Sequence, residues 1–111
     1  MTATLSSHPS QQEPDDIERI FNNLVQLVIQ ETRSESSTLK IATHPAYQQI
    51  IGLGQPAIPL LLRELERKSG RWFWALKAIS RIDPVEPSDR GKTRKMIDAW
   101  MQWGIEAGYK W

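Results

Sequence analysis

A chain of 111 residues, 40% apolar and 24% charged, is sized for one globular domain with a modest core. It contains no cysteine, which excludes disulfides and thiolate chemistry and fits a reducing cytoplasm. The formal net charge of +1 is unevenly spread: residues 1–55 hold six acids and three bases, net −3, and residues 56–111 hold seven acids and eleven bases, net +4. That is a mild charge dipole, far from the polycation of a dedicated nucleic-acid binder.

Residues 1–14 are Ser, Thr, Gln and Pro with little to bury, and read as a disordered tail. The N-terminus lacks the basic start and apolar stretch of a secretory signal, and no apolar run approaches the roughly 20 residues of a membrane span. Residues 15–33 predict a helix, capped by Asp15 or Asp16, with Glu18 at the positive end of its dipole. Its expected buried stripe is Ile17, Ile20, Phe21, Leu24, Leu27 and Val28, widened by Val25 and Ile29. A stripe that wide packs on two neighbours or faces a second subunit, so a homodimer is one reading.

The serines and threonine of 34–43 resist a helix interior and read as a linker, with Leu39 and Ile41 available to tuck onto the core. A short helix follows over 45–52, capped by Thr43 or His44 and closed by Gly52 and Gly54. Residues 56–68 predict another helix, with Ile58, Leu61, Leu62 and Leu65 at i, i+3, i+4 and i+7. Pro59 loses a hydrogen bond if Gln55 is the cap and loses none if the helix starts nearer Ile58. Ser69-Gly70 should end it, with Gly70 in the left-handed cap conformation. The next helix, 71–82, turns Trp72, Ala75, Leu76 and Ile79 to one face and stops at Asp83-Pro84. A last helix is expected over 88–107, capped by Ser88 and closed by Gly108.

The two proline breaks resemble each other at an offset of 28 residues, pairing Ile51 with Ile79, Pro56 with Pro84 and Pro59 with Pro87. Ile51-Gly52-Leu53-Gly54-Gln55-Pro56-Ala57-Ile58-Pro59-Leu60-Leu61 resembles the junction between the two helices of a HEAT-like repeat. So does Ala75-Leu76-Lys77-Ala78-Ile79-Ser80-Arg81-Ile82-Asp83-Pro84-Val85. The similarity is to the short-period type of bacterial phycobilisome-lyase-like proteins and covers roughly residues 45–87. It implies paired helices and no particular activity. Residues 85–94 depart from it, being too polar and too rich in Pro and Gly for a regular second helix. The chain also resembles small bacterial proteins with a Trp-Phe-Trp-Ala-Leu core and a Trp-containing last helix. The fold class expected is all-α, a small array of about five helices.

Chemistry is sparsely encoded. His8 and His44 are the whole histidine supply; His8 lies in the tail and His44 at a helix start, where capping is its plain role. Gly52-x-Gly54 lacks the third glycine, the preceding strand and the lysine-serine pair of a phosphate loop. An enzyme would need His44, Tyr47 and a carboxylate such as Glu64 to converge. No cofactor or metal motif is present, and a non-enzymatic role is the expectation.

What remains is surface. Arg90, Lys92, Arg94 and Lys95 fall early in the expected last helix, where cations oppose its dipole. They read as a solvated face, a contact for an acidic protein, or a weaker nucleic-acid site. All five tryptophans lie in the last 40 residues. Trp72 and Trp100 fall on core stripes; Trp74, Trp103 and Trp111 are hard to bury together in so small a domain. Arg71, Trp74 and Arg81 on one helix, with Trp103 nearby in space, would form a contact patch of the residue types that dominate interfaces. The alternative is that Trp74 packs under the N-terminal helix. The sequence thus points to a protein that binds another protein, as an accessory, antitoxin or immunity-type partner.

Overall fold

The structure, a computed structural model, describes residues 14–67 and 69–111. Apart from Pro14, the expected tail lies outside the described residues. Those residues form an all-α domain of six α-helices with no strand: α1 (Pro14–Glu31), α2 (Thr38–Ala42), α3 (Pro45–Gly52), α4 (Ile58–Glu66), α5 (Phe73–Ser80) and α6 (Thr93–Glu106). Short 3₁₀ turns precede α4, α5 and α6.

In α1 the buried residues are Phe21, Leu24, Val25 and Val28, a clean i, i+3, i+4, i+7 stripe. Leu27, expected inside, is 42% exposed. It lies about 110° round the helix from the centre of that stripe, counting 100° per residue, so Val25 takes its place. The helix packs on α3 and on the turn Gln55–Ala57, the two neighbours its breadth calls for.

The expected linker over 34–43 contains α2. Ser37 adopts extended backbone and its Oγ accepts from the Lys40 N–H at 3.3 Å. The affinity of serine for nearby backbone groups, which disfavours it inside a helix, is what caps one here. Ile41 and Ala42 are buried, while Leu39 stays 56% exposed.

Helix α4 starts at Ile58, so Pro59 falls in the first turn and costs no hydrogen bond. Ile58, Leu61, Leu62 and Leu65 are all fully buried, as their spacing requires. Gly54 makes the preceding bend at φ 76°, ψ −154°, a region open to glycine alone. Gly70 behaves differently from expectation, because it is not left-handed. A Cβ there would stand 3.3 Å from the Phe73 ring and 3.4 Å from Thr93 Cγ2, so the glycine serves the close approach of α6.

Helix α5 ends before the expected stop at Asp83-Pro84. Arg81 caps it in the left-handed conformation, φ 63°, and donates its N–H to the Lys77 carbonyl at 2.8 Å. Pro84 holds Asp83 out of the helical region, and the Asp83 carboxylate accepts from the Val85 N–H at 3.2 Å. That sharp turn buries the Val85 side chain. Helix α6 then starts at Thr93 and not at Ser88. Pro87–Asp89 is a separate 3₁₀ turn, and Gly91 at φ 84° breaks the path between the two.

The end of α6 is closed from two sides. Tyr109 N–H reaches the Gly104 carbonyl at 2.9 Å and Gly108 N–H the Ile105 carbonyl at 3.1 Å, with Gly108 left-handed. This is the paired bonding of a Schellman cap. It folds the last residues back, so that a Cβ on Gly104 would lie 2.7 Å from Leu62 Cδ1 and 2.9 Å from the Trp111 ring.

Helix α3 packs on α5 and α4 on α6, while α4 also touches α5. At the 28-residue offset α3 falls on α5 end to end, 45–52 on 73–80. The second members do not match, because the turn and Gly91 delay α6.

Left-handed backbone costs a residue with a Cβ about 1 kcal/mol. Arg81→Gly should therefore raise stability by about that amount, read as a higher midpoint in thermal unfolding. An unchanged or lower midpoint would mean that Arg81 is held there by contacts worth more than the strain.

Candidate interaction site

Tyr47 sets the geometry of this site. It is fully buried and its ring stacks on Trp72, centroids 5.4 Å apart and planes 11° from parallel. Its hydroxyl donates to the Arg71 carbonyl at 2.7 Å and accepts from the Ala75 N–H at 3.0 Å. Helix α5 has no capping side chain of its own. Tyr47 accepts from the third helical N–H, the bond an N-cap side chain would otherwise take.

With Trp72 anchored inward, Trp74 is turned about 200° away from it. Trp74 is 45% exposed. It lines a hollow of about 460 Å³ with Phe73 and Ala78 of α5, Met96 of α6, and Arg71 and Lys77 at the rim. A smaller hollow of about 180 Å³ shares Phe73, Lys77 and Met96, and continues to Val85, Asp83 and Arg90. The two adjoin at Phe73, Lys77 and Met96 and are together called the groove, largely apolar in lining, along α5 and past its C-terminal end.

A larger cleft of about 550 Å³ lies between α1 and α4. It is polar, and four of its charged residues pair: Arg63 with Glu18 at 2.9 Å and Arg67 with Glu64 at 3.1 Å. Glu64 is only 6% exposed, while the Arg67 and Glu18 side chains stay open to solvent, so the cleft is a paired ionic surface. Arg71 lines both cleft and groove, is half-buried, and makes no ion pair among the described residues.

The expected contact patch is only partly assembled. Arg71 and Trp74 come together. Trp103 does not join them; it lies edge-on to Trp100 at 5.3 Å and against Tyr109 at 5.6 Å, half-buried under the folded-back tail. Arg81 is exposed but lines neither hollow. Arg90 reaches the groove's far end, where Asp83 holds it at 3.1 Å and Lys77 at 3.5 Å. Lys92 and Arg94 are exposed, and Lys95 stands 4.0 Å from Asp89. Because α6 starts at Thr93, Arg90 and Lys92 precede it, and only Arg94 and Lys95 oppose its dipole.

Phe73, Lys77, Ala78 and Met96 were not among the residues expected at the site. At 100° per residue Phe73, Lys77, Trp74 and Ala78 span the face of α5 turned away from its buried stripe. Trp72 and Trp100 are buried, as their stripes imply; the Trp100 indole N–H meets no acceptor among the described residues.

The three groups of the enzyme alternative are engaged elsewhere. His44 Nδ1 accepts from the Ala46 N–H at 3.0 Å and Nε2 meets Glu31 at 2.7 Å, so one neutral tautomer satisfies both bonds. Tyr47 bonds to backbone and Glu64 to Arg67. Among the described residues no three His, Asp or Glu side chains gather as metal ligands, and no helix is long and apolar enough to cross a membrane.

The fold places the chain in the class of small all-α domains. No family model, curated protein or solved structure matches it.

Burial pushes the Tyr47 phenol well above its ordinary value near 10, although the Ala75 N–H and the Arg71 charge pull the other way. The folded chain therefore keeps a proton that the unfolded chain releases. The resulting stability is present below pH 10 and falls as pH rises above it. In a Tyr109→Phe background Tyr47 is the sole phenol. Its phenolate absorbance should appear only together with loss of helical circular dichroism. Ionisation near pH 10 with the helices intact would show an open hydroxyl.

Proposed function

We propose that this protein is a non-enzymatic binding module that grips another protein through the groove at Trp74. The observation that carries the reading is a Trp left 45% exposed over an apolar hollow, beside a half-buried Arg that makes no ion pair among the described residues. Trp and Arg are the side chains that dominate interface energetics, and such anchors sit in pockets that exclude water. The chain acts as an accessory, antitoxin or immunity-type partner, in the cytoplasm that a cysteine-free sequence fits. The packing of α3 on α5 and of α4 on α6 supports a HEAT-like scaffold, with only the first helices in register at the 28-residue offset.

Nucleic acid is the second reading, favoured by exposed Lys92 and Arg94 without ion pairs among the described residues. It ranks lower because Arg90 and Lys95 of the same cluster already answer Asp83 and Asp89.

A photoreactive phenylalanine analogue replacing Trp74 in the cells that make the protein should crosslink to one discrete protein. The same analogue at exposed Gln49 of α3 should not. No adduct specific to position 74 would contradict the reading, and an adduct with nucleic acid would transfer it to the second one.

A further inference from the structure

We infer that the occupant of the groove is an acidic amphipathic helix. This rests on the protein-binding reading above and adds the chemistry of the partner. The groove follows the axis of α5, because its walls are the i, i+4 pairs Phe73 with Lys77 and Trp74 with Ala78. Eight residues of helix extend about 12 Å, enough for two turns of a second helix laid alongside. Two apolar side chains one turn apart are the anchors that a helix in a groove would bring to these hollows.

The rim supplies the sign. Three cations line the two hollows: Arg71 at the start of α5, Lys77 midway and Arg90 beyond its end. Asp83 is the one carboxylate among the residues that line them, and it already faces both Lys77 and Arg90. Lys92, Arg94 and Lys95 follow Arg90 in sequence; Asp89 stands 4.0 Å from Lys95, and Asp98 lies one helical turn beyond Arg94 and Lys95. A basic or neutral helix would meet this rim at a disadvantage. One with acidic residues on both flanks of its apolar stripe would be drawn in and oriented.

The probe is a labelled peptide of about 15 residues, long enough to hold a helix once docked, with two leucines four apart and glutamates flanking them. Its twin carries lysine for every glutamate. Titration with the full chain, followed by fluorescence anisotropy, should show the acidic peptide binding at least ~10-fold more tightly at low salt. The gap should narrow as salt screens it. Trp74→Ala should weaken binding, and Lys77→Glu with Arg90→Glu should invert the preference, with circular dichroism reporting whether each variant is folded. The comparison of twins on the unaltered chain needs no variant.

Equal binding of the twins, or preference for the basic one, overturns the inference. So does sedimentation showing a dimer that Trp74→Ala disperses, since the occupant would then be a second copy. A partner crosslinked at position 74 together with indifferent peptides would remove this inference and leave the protein-binding reading standing. Failure of both would remove both.

Discussion

One phenol hydroxyl ties two helices that lie 28 residues apart. By donating to the Arg71 carbonyl and accepting from the Ala75 N–H, Tyr47 closes the start of α5 from the side of α3. An uncapped helix start leaves several backbone N–H groups without partners, and at Ala75, which is buried, such an omission is costly. The stack of Tyr47 on Trp72 adds apolar contact at the same point. Once Trp72 is fixed inward, helical geometry decides that Trp74 faces out and that Arg71 stands at the rim. The groove is therefore a consequence of how α5 is seated.

The rest of the domain shows why Trp74 differs from the other outlying tryptophans. Trp103 and Trp111 are kept in contact with the core by the closing turn of α6, which brings Tyr109 against Trp103 and Trp111 over Gly104. No later segment is laid over Trp74. A large aromatic left this way gives up burial worth about 2 kcal/mol or more. Its neighbours Phe73 and Met96 are half-buried, so the apolar surface is contiguous and not a single stray side chain.

Much of the fold was legible in the sequence where the signal is periodic and local. The stripe of α4 was readable because four buried residues repeat at one spacing, and His44 as a cap because Pro45 follows it. Junctions were less readable, because one residue type serves opposite ends. Serines that break a helix interior also start α2, and Gly70 yields space to α6 where a left-handed cap was expected. The start of α6 was misplaced because Ser88 is a good cap, while the left-handed turn at Gly91 is set by chain direction. Of the groove's lining, Arg71 and Trp74 were singled out by residue type. Met96 and the far position of Trp103 were not, since they depend on how α6 lies on α4. Tyr47 as a remote cap could not be read from any local window.

The most direct measurement is amide hydrogen exchange at Ala75, the third residue of α5. Such an amide near a helix start has no intrahelical acceptor and would exchange fast in an isolated helix. With Tyr47 as its partner it should be protected as well as the core amides of α5, and Tyr47→Phe should drop it to the level of the Phe73 and Trp74 amides while the helices persist. Fast exchange at Ala75 in the unaltered protein, or protection that survives Tyr47→Phe, would contradict the account.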